Sequence, residues 1–149
     1  MTLTSGTALT DQSIATGAVD AVVDDIYDLT RAVLTLQETG GEVTTDGTEQ
    51  NLYVVDGPLG VFNPVCVYVD LDLMVGGDTT VFRVYYRITP GGGQELHDSM
   101  TYSGVDGGLL DNRKIIAINL LPTRFGVLVS IQRTAGGDRA YAWEILEEA

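Results

Sequence analysis

The sequence predicts a mainly β protein: an antiparallel β-sandwich of seven or eight strands, jelly-roll-like or immunoglobulin-like, preceded by one N-terminal amphipathic helix. Three observations point there. Seven segments between residues 51 and 146 are apolar or alternate apolar and polar with a period of two. Clusters of Gly, Pro, Asp and Asn separate them. A single segment ahead of them follows a helical period instead.

Residues 1–10 are Thr, Ser, Gly and Ala with little pattern, which predicts a flexible arm. Asp11 and Ser13 can each cap a helix start, and the apolar pattern then runs to Leu36, giving a helix over 11–38. The Gly pair in "ETGGEVTTDGTEQ" stops it, leaving 39–50 as a linker and 51–149 as the β-domain. The strands are read as "NLYVVD" (51–56), "VCVYVDLDLMV" (65–75), "TTVFRVYYRI" (79–88), "DSMTYSG" (98–104), "KIIAINLL" (114–121), "FGVLVSIQRTA" (125–135) and "AYAWEIL" (140–146). "GGD" recurs before Thr79 and Arg139 as the expected tip of two hairpins.

Alternation separates an inner from an outer face. Val67, Val69, Leu71 and Leu73 share one face of their strand, and Phe82, Val84, Tyr86 and Ile88 share one in the next. Phe125, Val127, Val129 and Ile131 form another core face, as do Tyr141, Trp143 and Ile145. If "GGDT" (76–79) closes a hairpin, Asp72 falls opposite Arg83 and Tyr68 opposite Arg87. Each charged pair of that kind is worth about 0.2–1 kcal/mol.

In the helix, Ala15, Val19, Val22, Ile26, Leu29, Val33 and Leu36 follow alternating spacings of four and three, the a/d pattern of a coiled-coil seam. Val23, Asp25, Thr30, Ala32 and Gln37 flank the seam without complementary Glu/Lys pairs, which suits a trimer or packing on a broader surface. A 3.6 period fits nearly as well over this span, so a helix lying on its own sandwich is the simpler alternative.

Charge excludes several partners. With 21 acidic and 8 basic residues the chain carries −13, so free nucleic acid and anionic membranes are repelled. Lys114 is the only lysine, and Asp outnumbers Glu, a make-up that suits a salt-adapted protein in which ions screen self-repulsion. Cys66 is the sole cysteine, so no intrachain disulfide forms, and its apolar run "NPVCVYV" marks it as a small core or strand residue. "MTLTSGTALTDQS" lacks the charged and apolar regions of a secretory signal, and no apolar run is long enough to span a membrane.

No catalytic constellation assembles in the sequence. His97, the sole histidine, sits in "QELHDS" and reads as surface. "TYSGVDG" lacks the first Gly of a nucleophile elbow, and "TPGGGQEL" lacks the Lys of a phosphate loop. Asp70 and Asp72 share a strand face and could contribute to a Ca²⁺ site, but a solvated face paired to Arg is the plainer reading. Neither an enzyme nor a cofactor is expected.

The runs "DGTEQNLYVVDGPLGVF", "VYVDLDLMVGGDTTVFRVYYRI" and "LLPTRFGVLVSIQRTAGGDRAYAWEILEE" resemble small β-sandwich proteins from the structural gene clusters of tailed bacterial and archaeal viruses. The likeness covers residues 44–148, and the lysine-poor composition is similar to that of proteins from haloarchaeal hosts. The resemblance implies a virion structural protein that decorates, cements or projects from a capsid. It also implies a homotrimer partnered by a major capsid or other virion protein and docked through the arm and helix. A stand-alone carbohydrate- or ligand-binding module is the alternative, with Tyr68, Tyr85 and Tyr102 as its aromatic platform.

Overall fold

Alternation of this kind demands two inner faces, and the chain supplies them. A computed structural model describes residues 34–58 and 60–148. It holds β1 (Leu34–Thr44), β2 (Gln50–Asp56), β3 (Pro64–Asp70), β4 (Thr79–Tyr86), β5 (Glu95–Val105), β6 (Gly108–Leu109), β7 (Ile115–Asn119), β8 (Gly126–Ala135) and β9 (Ala140–Glu148). One sheet has the order β1-β9-β3-β7 and the other β2-β8-β4-β5-β6.

Every pairing is antiparallel, and the pairs nest. β1 pairs with β9, β2 with β8, β3 with β7 and β4 with β5. The chain therefore forms one long folded-back ribbon whose successive rungs fall alternately into the two sheets. Ladders β3–β9 and β4–β8 then stitch neighbouring rungs together within each sheet. That is the strand order of a jelly roll, and it excludes the immunoglobulin-like alternative.

The core lies between the sheets. Val67, Val69, Ile116, Ile118, Tyr141 and Ile145 face Phe82, Val84, Val127, Val129 and Ile131, all buried. Tyr53 and Trp143 bridge the sheets edge to face, with ring centroids 6.2 Å apart, a contact worth about 0.5–1.5 kcal/mol beyond its area. Leu71 and Met74, fully buried in the β3–β4 connection, plug one end.

Several expectations are corrected. Residues 34–38, expected as helix, and 39–44, expected as linker, form β1, paired along its length with β9. Register shifts at Leu36/Glu38 and Thr39/Gly41 interrupt its period of two, and Gly41 takes a left-handed φ of +70° at the second. A bulge thus looks like a helix stop in sequence. Leu36, assigned to the seam, stands opposite Leu146 in this strand. Ala15, Val19, Val22, Ile26, Leu29 and Val33, with the arm and the rest of the helix, lie outside the described residues.

The expected β3–β4 hairpin is also absent, because the two strands belong to different sheets. β3 ends at Asp70, where the side chain accepts the Asp72 amide at 3.0 Å and turns the chain. Asp72 consequently does not meet Arg83, nor Tyr68 Arg87. Both "GGD" segments cross between sheets rather than capping hairpins. Leu73 and Ile88, assigned to core faces, lie beyond the strand ends and are exposed.

Candidate functional site

The side chains with chemical potential are dispersed. His97 lies exposed on β5, its ring edge-on to Tyr86 with centroids 5.1 Å apart. Among the described residues no three His, Cys, Asp or Glu side chains gather in a metal-binding group. The three tyrosines do not make a platform either. Tyr68 lies on the outer face of the β1-β9-β3-β7 sheet, and Tyr85 donates to Glu49 at 2.7 Å across the other sheet. Tyr102 packs against the Phe82 ring at 5.8 Å.

The outer face of the second sheet is occupied by its own hydrogen bonds. Glu49 accepts from Ser130 at 2.5 Å and from Tyr85, and pairs with Arg83 at 3.2 Å. Arg83 also donates to Gln132, whose amide reaches the Gly47 carbonyl. Hydrogen bonds from Ser130 and Tyr85, then the Arg83 charge, outweigh burial and hold Glu49 below the ordinary glutamate range.

At one end of the sandwich the two "GGD" turns dock on each other. Asp78, 3% exposed, accepts from the amides of Val75 and Gly137, each at 3.0 Å, and from Arg139 Nε at 2.8 Å. Burial pushes its carboxyl up, but the Arg139 and amide hydrogen bonds prevail and hold it below the usual carboxylate range. A Cβ on Gly136 would stand 2.0 Å from Asp78 Oδ1, so only glycine fits there. This cluster fixes a corner and leaves nothing for a ligand.

Among the described residues, two surfaces stay open. On the outer face of the β1-β9-β3-β7 sheet, Glu42 pairs with Ala142, Asp70 with Ile115, and Tyr68 lies between Glu144 and Ala117. Small residues at Gly41 and Ala142 leave a depression of about 450 Å³ with an apolar floor and carboxylates around it. The Cys66 thiol and nearby Glu144 carboxylate push the Tyr68 hydroxyl up, so it stays a neutral donor.

The second surface is the end of the sandwich built by the loops after β2, β4 and β7. Tyr86, Ile88, His97, Leu121, Arg124 and Phe125 line a hollow of about 400 Å³ there. Tyr86 OH accepts the Leu121 amide at 2.6 Å and ties the end of β4 to the loop after β7. Arg87 pairs with Asp56, whereas Arg124 lies over the Phe125 ring, 5.4 Å from its centroid. Sequence reasoning found neither surface, because each gathers residues from three or four separate segments.

No protein-family model matches the chain, and no curated protein matches it in sequence. Distant likenesses exist among solved structures. They include infectious bursal disease virus, Gx strain (11% identity, TM-score 0.43), and the VP2 subviral particle of that virus (10% identity, TM-score 0.45). Another is the T=1 particle derived from infectious bursal virus (11% identity, TM-score 0.44). Each match covers 78% of this chain and spans about a third of the matched chain, 32%, 31% and 31% respectively.

Proposed function

We propose that this chain is a virion structural protein of a tailed virus that decorates, cements or projects from the capsid and assembles through its N-terminal segment. The nested jelly-roll strand order carries the reading. Capsid and lectin domains both use this architecture, and fold alone does not choose between them. The open surfaces favour assembly, since they are broad and apolar with charged rims, like protein–protein contacts. Tyr68 and Tyr85 lie on the outer faces of different sheets and Tyr102 packs on the core ring of Phe82, which takes away the platform the carbohydrate alternative needs. The seam at Ala15, Val19, Val22, Ile26, Leu29 and Val33 is the proposed trimerising or docking element. Sedimentation of the full chain in molar KCl is expected to give a stable homotrimer. A monomer that instead binds on a glycan array would sink the reading.

A further inference from the structure

We infer that the loop end of one copy, around Arg124, seats in the acidic depression on the outer β1-β9-β3-β7 face of a second copy. The inference rests on the assembly reading and deepens it. A chain with net charge −13 repels its own copies, so a self-contact must bring opposite charges together locally. Among the described arginines, Arg83, Arg87, Arg113, Arg133 and Arg139 each pair with a carboxylate. Arg124 is exposed and stacks on Phe125 instead. Beside it Ile88 and Leu121 are 76% and 52% exposed. An arginine among apolar side chains is the usual composition of a binding anchor.

The depression offers the complement. Glu42, Asp70 and Glu144 surround it without an ion pair to any described residue, and Ile115 is 59% exposed at its margin. A Cβ on Gly41 would meet nothing within 4 Å among the described residues, which leaves the space above this bulge for a projecting loop. Because the two surfaces lie on different parts of one protomer, the contact is heterologous and runs head to tail, closing into a ring where the rotation allows.

Charge reversal tests this on the full chain by sedimentation over a concentration series at physiological ionic strength. Arg124→Glu and Glu144→Arg should each weaken self-association by about tenfold or more, since each sets like charges against each other. An equimolar mixture of the two variants should restore association between unlike copies, because the loop end of each complements the depression of the other. Ala142→Trp, which fills the depression without changing charge, should also block the contact. Both charged side chains are exposed, so melting temperatures should match wild type. Arg124→Gln and Glu144→Gln, with smaller effects in the same direction, serve if a reversal disturbs folding. A trimer indifferent to all these changes would overturn the inference while leaving the virion reading standing. A wild type that stays monomeric, or a mixture that fails to recover, would also overturn it.

Discussion

Asp78 concentrates three donors on one buried carboxylate and so joins the β3–β4 connection to the β8–β9 turn. Replacing it with Ala would leave Arg139 and two amides without their acceptor, a loss of about 3 kcal/mol or more. Because the folded carboxyl titrates below its unfolded value, its stabilisation is complete above the unfolded pKa. That stabilisation drains as pH falls through the folded one. Urea midpoints measured from neutral pH down through about pH 3 should therefore fall in wild type and fall less in Asp78→Asn. Equal acid dependence in the two proteins would show that the carboxylate is not what holds this corner. Trp143 is the other residue on which much turns, 9% exposed and edge-on to Tyr53 of the opposite sheet. Trp143→Ala should cost roughly 3–5 kcal/mol, and an unchanged melting temperature would refute its bridging role.

At the scale of elements, β7 and β9 are the plainest in sequence, because alternation runs unbroken through them. Tyr141, Trp143 and Ile145 point inward along β9 with Ala142 and Glu144 outward, and the same holds for Ile116 and Ile118 in β7. β1 hides because two register shifts and a Gly pair break its pattern. β2 carries one as well, which buries the consecutive residues Leu52 and Tyr53. The N-terminal seam belongs to this scale too. Ile26→Asp would place a charge in the apolar stripe, and loss of the trimer or of shell attachment is expected while the β-domain still folds. If that variant unfolds the whole protein and the wild type is an unbound monomer, the segment is core and not an assembly element.

For the whole molecule, the nested pairing makes the first and last strands neighbours, so most of the chain must be in place before β1 and β9 can close. The charge of −13 belongs to the whole chain. Screening should relieve that self-repulsion, and the melting temperature should climb from dilute buffer to molar KCl. A melting temperature indifferent to salt would count against salt adaptation. Internal ion pairs such as Arg139–Asp78 contribute little to this dependence, since a partly buried pair is screened much less than a surface one.

What the sequence determined by itself was the kind of layer each segment could build. Period-two burial is a local property, and Val67, Val69, Phe82, Val84, Val127, Val129, Ile131, Tyr141 and Ile145 are buried where alternation places them. Composition likewise set the repulsion any partner must overcome. Strand partners were decided only in three dimensions, because the ladder bonds of a jelly roll join segments distant in sequence, as Leu34 and Glu148 are joined. A turn such as "GGDT" is equally compatible with a hairpin and with a crossing between sheets; the buried plug of Leu71 and Met74 and the docking of Asp78 on Gly137 select the crossing. The open surfaces follow from that choice. Arg124 gains its apolar neighbours only when the chain beyond β4 meets the loop after β7, and Glu42, Asp70 and Glu144 gain a common depression only when β1, β9, β3 and β7 lie side by side.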